Sequence, residues 1–275
     1  MIYNKKLSIA STSSILAFSL IILVISKIII YRKNYYISPE YIDKDCKEFK
    51  KIYNIKELPN FGILTWYIPE RVQNYNPIYY TNLKKIIVFC HGNSYNITWK
   101  TKILKSLSDN FYYPIIIQDY LRIDNTESNI DKMINKTNEL INYLINNGYT
   151  RDNIILFGES MGCAVALEVA QKNNIKNIIS YIGFRRIKDL IIKMIPILGG
   201  IVGVFTSELD NYKIIKNNNF NITLLNSPND KVVIFDNIQN MAKDLNIELL
   251  QIDGSHKYPI IFPHVFSRLK EKYFI

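Results

Sequence analysis

The sequence predicts an α/β domain with a doubly wound, mostly parallel β-sheet, preceded by one transmembrane helix. Short apolar runs rich in β-branched residues recur along the chain with little alternation, which is typical of strands buried on both faces. Longer amphipathic segments separate these runs, and this order of strand and helix is that of repeated βαβ units. An uncharged run near the N-terminus is the third observation, and it predicts the transmembrane helix.

The apolar runs and the amphipathic segments predict the individual elements of the domain. The predicted strands span residues 62–68, 85–90, 114–118, 153–157, 177–182, 221–225 and 248–252. The predicted helices span residues 97–108, 130–146, 162–172, 235–245 and 258–273. We therefore expect one α/β domain over residues 55–275.

The N-terminal segment is expected to be a membrane anchor over residues 1–34, joined to the domain by a linker over residues 35–54. Residues 8–26 carry no charge, and a helix of about 19 residues spans roughly 28 Å, close to the hydrocarbon thickness of a bilayer. A cleaved signal peptide is the alternative, because Lys5 and Lys6 form a basic start, but no small-residue cleavage site follows the apolar run. We expect a single-pass anchor of open orientation, since basic residues lie on both sides of it.

Composition excludes several classes of protein. The chain is 48% hydrophobic and 21% charged, which favours a folded globular protein over a disordered one. Its formal net charge of +10 comes from lysines scattered along the chain, and because they form no basic stripe we expect no nucleic-acid partner. The three cysteines and three histidines lack metal-ligand spacing, so neither a metal nor a cofactor is expected. Cys90 and Cys163 lie within apolar runs, which predicts buried thiols.

The strongest motif is at residues 158–162, which read Gly-Glu-Ser-Met-Gly after the predicted strand 153–157. This G-x-S-x-G pattern between a strand and a helix is typical of a nucleophile elbow, a sharp turn that holds a serine in a strained backbone conformation. Glycine is needed at both ends because side chains there would collide with the neighbouring strand and helix. The pattern predicts Ser160 as a nucleophile at a helix N-terminus, where developing negative charge is favoured.

A second motif, His91-Gly92-Asn93, follows the predicted strand 85–90. A hydrolase needs backbone N–H donors aimed at the oxyanion of its tetrahedral intermediate. The residue after the nucleophile, Met161, is expected to supply one donor, and the loop after this strand is expected to supply the other, from Asn93. An ordinary strand-to-loop turn at Gly92 is the alternative interpretation.

A serine hydroxyl becomes a good nucleophile when a histidine takes its proton, so the chain needs a catalytic histidine. His256 lies in the loop directly after the last predicted strand. His91 belongs to the motif above, and His264 lies in the final predicted helix, where a surface or core role is expected. His256 is therefore the predicted base.

The base in turn needs a carboxylate to orient it. Asp230 is the predicted acid, because it lies just past the penultimate strand, and the order along the chain in this arrangement is nucleophile, acid, base. Asp236 lies too far into the following helix. Asp253 is close to the predicted base along the chain and is interpreted as a turn residue.

In these motifs the chain resembles serine hydrolases of the α/β-hydrolase fold, and in particular the membrane-anchored Bem-type abhydrolase subfamily. The resemblance covers roughly residues 55–275 and includes four motifs in the expected order. It implies the triad Ser160, Asp230 and His256, with the backbone N–H groups of Asn93 and Met161 as the oxyanion hole. It also implies esterase, thioesterase or lipase activity on acyl-ester or lipid-like substrates at a membrane surface.

The apolar segment 187–205 interrupts the order of strands and helices. It is uncharged between Lys193 and Glu208, but this stretch is too short to span a bilayer. One interpretation is a buried core helix with a glycine hinge, and the other is the wall of an apolar substrate pocket, with Leu198 and Ile201 as candidate pocket residues. Both interpretations stay open, since cores and pocket walls share this composition.

Other functions are also compatible with the motifs. A catalytically silent α/β-hydrolase fold could serve as a binding or scaffolding module, although a complete triad argues against this. A carboxypeptidase or an acyltransferase could use the same triad, because fold does not determine substrate. The sequence leaves the natural substrate, the acyl-chain length and the oligomeric state open.

Overall fold

A computed structural model describes residues 44–61, 63–71, 85–92, 97–120, 130–194 and 209–274. The predicted anchor over residues 1–34 lies outside these ranges. Within them, no helix combines the length and the apolar character needed to cross a membrane.

The described residues form eight strands of one sheet and a separate two-stranded hairpin. The sheet strands are β1 (Lys56–Glu57), β2 (Thr65–Ile68), β3 (Ile86–Cys90), β4 (Ile115–Gln118), β5 (Ile154–Glu159), β6 (Asn177–Tyr181), β7 (Asn221–Asn226) and β8 (Glu248–Gln251). The hairpin strands are β9 (Asp253–Ser255) and β10 (Tyr258–Ile260). The order across the sheet is β1-β2-β4-β3-β5-β6-β7-β8. The strands from β4 to β8 in that order are parallel, and β2 pairs antiparallel with both β1 and β4.

Eight α-helices accompany these strands within the described part of the chain. They are α1 (Lys44–Ile52), α2 (Thr101–Phe111), α3 (Ile130–Asn146), α4 (Met161–Asn173), α5 (Ile187–Met194), α6 (Asn211–Lys216), α7 (Phe235–Leu245) and α8 (Pro263–Tyr273). A 3₁₀ turn at Ile97–Lys100 leads into α2.

The sheet separates two hydrophobic cores, and strand β3 shows why the apolar runs lack alternation. Ile86, Val88 and Cys90 belong to the core that contains residues of α3, α4 and α7. Ile87 and Phe89 point to the other core, with residues of α1, α2 and α8. All five side chains are buried, because helices cover both faces of the strand. The mostly parallel, doubly wound sheet predicted from the sequence is thereby confirmed, and each of the seven predicted strands overlaps a strand of this sheet.

The last predicted helix begins later than expected. Residues 258–260 form strand β10 instead, and α8 starts at Pro263. Pro259 would break a helix through this segment. Pro263 favours an extended conformation at the residue before it, and Phe262 has φ −74° and ψ 154°. The prediction of helix over residues 258–262 was wrong because these two prolines determine where the helix can begin.

Part of the predicted linker is a packed helix. Helix α1 lies within residues 35–54, and Cys46, Phe49 and Tyr53 are buried in the same core as α2 and α8. Most residues of this helix are polar, but its buried residues form one apolar face. That face packs against the core and holds the helix on the domain.

The apolar segment 187–205 is described only in its first part. Ile187 and Leu190 of α5 are partly buried and pack against the first core, whereas Ile192 is exposed. The candidate pocket residues Leu198 and Ile201 lie outside the described residues.

The packing of α1 gives a direct test. Phe49 is 5% exposed and Ile52, on the same helix, is 61% exposed. Phe49→Ala should lower the free energy of unfolding by about 3 kcal/mol through the lost burial and the cavity it leaves. Ile52→Ala is the matched control and should change it by less than about 0.5 kcal/mol. Urea denaturation measures both, and equal small effects would mean that α1 belongs to a linker.

Candidate active site

Ser160 lies alone between strand β5 and helix α4. Its backbone has φ 53° and ψ −115°, a conformation that residues other than glycine rarely adopt. The Ser160 N–H donates to the Tyr181 carbonyl at the end of β6 (2.9 Å), and the Ser160 carbonyl accepts from the Cys163 N–H (3.0 Å). The turn is therefore held from both sides, and it directs the side chain out of the carboxyl edge of the sheet.

Two glycines make this turn possible. A methyl group at Gly162 would lie 1.9 Å from the backbone carbonyl oxygen of Cys90, on neighbouring strand β3. One at Gly158 would lie 2.6 Å from Cα of Cys163. Both distances are far below van der Waals contact with backbone that cannot move aside. Helix α4 can thus approach β3 and β5 only if these positions are glycine.

The structure brings the three predicted triad residues together. Ser160 Oγ lies 3.0 Å from His256 Nε2, and His256 Nδ1 lies 2.7 Å from Asp230 Oδ2. Since Asp230 accepts from Nδ1–H, Nε2 is the unprotonated nitrogen of the neutral ring and faces the serine hydroxyl. This is the arrangement that a general base requires.

Asp230 is fixed by its own surroundings. Its side chain is 0% exposed, and its second oxygen, Oδ1, accepts from the N–H groups of Val232 (2.7 Å) and Val233 (3.0 Å). The turn that follows β7 thus satisfies one carboxylate oxygen and directs the other at His256. A buried carboxylate with all its oxygens bonded keeps its orientation.

The other candidates considered from the sequence lie elsewhere. Asp253 Oδ1 accepts from Gly254 N–H and from Asn229 Nδ2, so it shapes the hairpin that carries His256. Asp236 lies in the first turn of α7. His264 is exposed on the first turn of α8 and stacks against Phe262.

The predicted oxyanion donors are only partly described. Met161 is the first residue of α4, and the first N–H groups of a helix have no partner inside it. Asn93 lies outside the described residues. Gly92, directly before it, lies against Ser160, since a methyl group at Gly92 would be 3.2 Å from Ser160 Cβ.

A charged pair that the sequence motifs did not predict lies beside Ser160. Glu159 Oε2 accepts from Lys100 Nζ (2.6 Å) and from the Gly92 N–H (3.0 Å). Burial tends to raise the pKa of Glu159, but the charge of Lys100 and these hydrogen bonds outweigh it, so the net pKa lies below its usual value. A signal was present in the sequence, because a carboxylate at the end of a buried strand needs a cation or donors close by.

His91 is buried and neutral. Its Nε2 accepts from the Tyr120 N–H (3.2 Å), so the proton is on Nδ1, which donates to the Gly92 carbonyl (2.7 Å). Burial, and after it the nearby charge of Lys100, lower the pKa of His91 to about 4. The ring also stacks on Tyr120. His91 thus supports the loop after β3 without titrating near neutral pH.

Chemically, the site offers a serine hydroxyl, a base within hydrogen-bonding distance of it, and a buried carboxylate behind the base. Among the described residues, no group of three or more His, Cys, Asp or Glu side chains is arranged to hold a metal ion.

All three cysteines are buried thiols, as predicted for Cys90 and Cys163, and burial raises the pKa of Cys163 to about 12.

Sequence comparison identifies one matching family model and two related viral proteins. Residues 113–188 match a family model described as phospholipase/carboxylesterase, a region that contains Ser160 but neither Asp230 nor His256. The uncharacterized protein R595 of Acanthamoeba polyphaga mimivirus is 28% identical over 262 residues, covering 84% of this chain and 88% of that protein. L404 of the same virus, whose name places it among the α/β hydrolases, is 33% identical over 95 residues, which cover 33% of this chain and 36% of L404.

A solved structure shows the same architecture. An esterase of Pyrococcus furiosus superposes with a TM-score of 0.61 at 14% identity, over 83% of this chain and 93% of the esterase. Together with the parallel sheet and the elbow between β5 and α4, this similarity shows that the chain has the α/β-hydrolase fold.

The neutral state of His91 predicts a pH dependence of stability. The unfolded chain binds a proton at this residue below about pH 6.5, whereas the folded protein binds it only below about pH 4. The free energy of unfolding should therefore fall as the pH is lowered from 6.5 to 4, by about 3 kcal/mol over the whole interval. Urea denaturation of wild type and of His91→Gln across this interval measures the effect, which the variant should lose.

The exposed His264 provides the matched control for that measurement. His264→Gln should keep the wild-type slope, because the side chain lies on the surface of α8. Equal slopes in wild type and His91→Gln would mean that His91 is not held neutral.

Proposed function

We propose that this protein is a serine hydrolase that cleaves acyl esters or thioesters, with Ser160 as nucleophile, His256 as base and Asp230 as the orienting acid. The observation that carries the proposal is the continuous hydrogen-bonded chain from Ser160 Oγ through His256 to Asp230, with steps of 3.0 and 2.7 Å. The strained backbone of Ser160 supports it further, since such conformations cluster at functional sites.

The first half of the proposed reaction forms an acyl-enzyme. Ser160 Oγ attacks the acyl carbonyl carbon while its proton passes to His256 Nε2. The carbonyl oxygen becomes an oxyanion, which the N–H groups of Met161 and Asn93 stabilise in this proposal. The tetrahedral intermediate then collapses, and His256 returns the proton to the departing alcohol or thiol.

The second half releases the acid. A water molecule gives a proton to His256 and attacks the acyl carbon, and the ester bond to Ser160 breaks with return of that proton to Oγ. Asp230 stabilises the imidazolium that forms twice in the cycle, through its bond to Nδ1. These steps use side chains, backbone donors and water, without a cofactor.

A lipid-like substrate at a membrane surface is the proposed context. Val232, Tyr258, Ile260 and Phe262 are exposed apolar side chains on the segments that carry Asp230 and His256. We name these four residues the apolar rim. Lys231 and Lys257 are exposed among them, so the rim combines apolar contact with positive charge, as a surface for anionic lipid does.

Membership of the membrane-anchored Bem-type subfamily is part of this proposal. Its support is the order of the motifs and the uncharged run at residues 8–26, which would hold the domain at the bilayer. The family model is described as phospholipase/carboxylesterase, and the similar solved structure is that of an esterase. Both descriptions are consistent with an acyl-ester substrate.

The nucleophile is the first test. Ser160→Ala should reduce hydrolysis of a p-nitrophenyl ester on the order of 10⁴-fold or more, because the base would have no hydroxyl to activate. Circular dichroism should show an unchanged fold. A fluorophosphonate probe should label the wild type at Ser160 and leave the variant unlabelled. A wild type that neither labels nor turns over would support the silent binding module instead.

The apolar rim is tested by comparing activity on a membrane-bound ester with activity on a dissolved one. The double variant Tyr258→Ser/Ile260→Ser should lose about 10-fold or more of its activity on an ester presented in anionic vesicles, because each lost apolar contact weakens binding to the surface. Its activity on a dissolved short-chain ester should change less than 2-fold or so. Ile52→Ser removes an equally exposed apolar residue from α1 and serves as the control. Parallel loss on both substrates would rule out a role in surface binding.

A further inference from the structure

The Lys100–Glu159 ion pair is unusual in both its burial and its position. The Lys100 and Glu159 side chains are 10% and 12% exposed, and their Nζ and Oε2 atoms are 2.6 Å apart. Removing two charges from water is unfavourable by several kcal/mol per ion unless each finds partners. A pair in this setting does more for geometry than for stability, so its surroundings indicate what it positions.

One carboxylate oxygen connects three segments of the chain. Glu159 is the last residue of β5, directly before Ser160. Gly92, whose N–H donates to Oε2, lies two residues past the end of β3. Lys100 ends the 3₁₀ turn that leads into α2. The same oxygen thus binds Gly92, just before residues 93–96, and Lys100, shortly after them.

The contact with the nucleophile is direct. Gly92 lies close enough that a methyl group there would be 3.2 Å from both Ser160 Cβ and the Glu159 carbonyl oxygen. A small rotation of the backbone at Gly92 would therefore change the distance between the nucleophile and the donor expected at the next residue. Oxyanion stabilisation depends on donors held within a few tenths of an ångström.

We propose that Lys100 and Glu159 are positioning residues of the active site, which hold the backbone at Gly92 against Ser160 and so align the oxyanion hole. The proposal rests on the hydrolase function proposed above. Neither side chain reacts with substrate. The ionised Glu159 carboxylate accepts the Gly92 N–H more strongly than a neutral carboxyl would, and Lys100, bound to the same oxygen, favours the ionised form and fixes its orientation.

Kinetic measurements on variants test the proposal. Lys100→Met should lower kcat by about 10- to 100-fold, part of the loss expected for an oxyanion donor, while KM changes little. Rates are expressed per site labelled by a fluorophosphonate, so that misfolded protein does not contribute. Lys100→Arg keeps the charge and should recover most of kcat. Lys100→Met/Glu159→Gln should lose no more than either single variant, because the two residues act as one unit.

A second ion pair provides the matched control. Lys272 Nζ and Glu248 Oε2 are 3.2 Å apart, with side chains 20% and 22% exposed. This pair lies at the start of β8, where Glu248 pairs with Thr223, at the opposite end of the parallel strands from Ser160. Lys272→Met should lower the melting temperature and leave kcat per labelled site unchanged. An equal loss of kcat in Lys272→Met would show that any broken ion pair impairs the enzyme, and would overturn the proposal.

Hydrogen exchange tests the positioning without turnover. Peptides covering residues 86–100 should exchange faster in Lys100→Met than in wild type, while peptides covering β7 and β8 keep their wild-type rates. This result is expected even if the wild type hydrolyses no ester, in which case only the proposed function fails. Unchanged exchange at residues 86–100 overturns the positioning role, and so does faster exchange with an unchanged kcat per labelled site.

Discussion

The single-residue turn between β5 and α4 is the constraint on which the rest of the site depends. Because the strand ends at Glu159 and the helix begins at Met161, Ser160 must adopt φ 53° and ψ −115°. Helix α4 then packs so close to β3 that Gly162 leaves no room for a Cβ atom. The same closeness brings the end of β3 beside Ser160, so the elbow and the two residues after β3, His91 and Gly92, form one structural unit. The energy stored in the turn is offset by burial on both faces of the central strands.

Around this turn, the buried side chains of His91, Glu159 and Asp230 each have hydrogen-bond partners. His91 is neutral because burial and Lys100 disfavour its charged form, and Glu159 is ionised because Lys100 and Gly92 compensate its burial. Asp230 is held by two backbone N–H groups and by His256. When the hydrogen bonds of a site are already formed before substrate binds, little free energy is lost to reorganisation during the reaction.

Much of this arrangement could be predicted from the sequence, for identifiable physical reasons. Strands buried on both faces appear in the sequence as continuous apolar runs, so β2 to β8 could be predicted from those runs. The triad residues follow strand ends in a fixed order along the chain, so Ser160, Asp230 and His256 could be predicted to meet. Helix α1 was missed because its apolar face is narrow and its composition polar, and the β9–β10 hairpin because its strands are only three residues long. The position of Glu159 at the end of a buried strand indicated that it needs a partner, but Lys100 could not be identified as that partner because it is distant in sequence.

The hairpin that carries His256 has a consequence for heat inactivation. Among the strands that the structure describes, it pairs with none of the main sheet, and each of its strand residues is exposed or half-buried. Polar links hold it in place, among them Ser227 Oγ to the Gly254 carbonyl and Tyr181 OH to the Pro259 carbonyl. Segments with few buried apolar contacts open locally at a lower free energy than global unfolding requires. On warming, His256 would therefore leave Ser160 while the sheet is still folded, and the proposed activity would be lost reversibly before the protein melts.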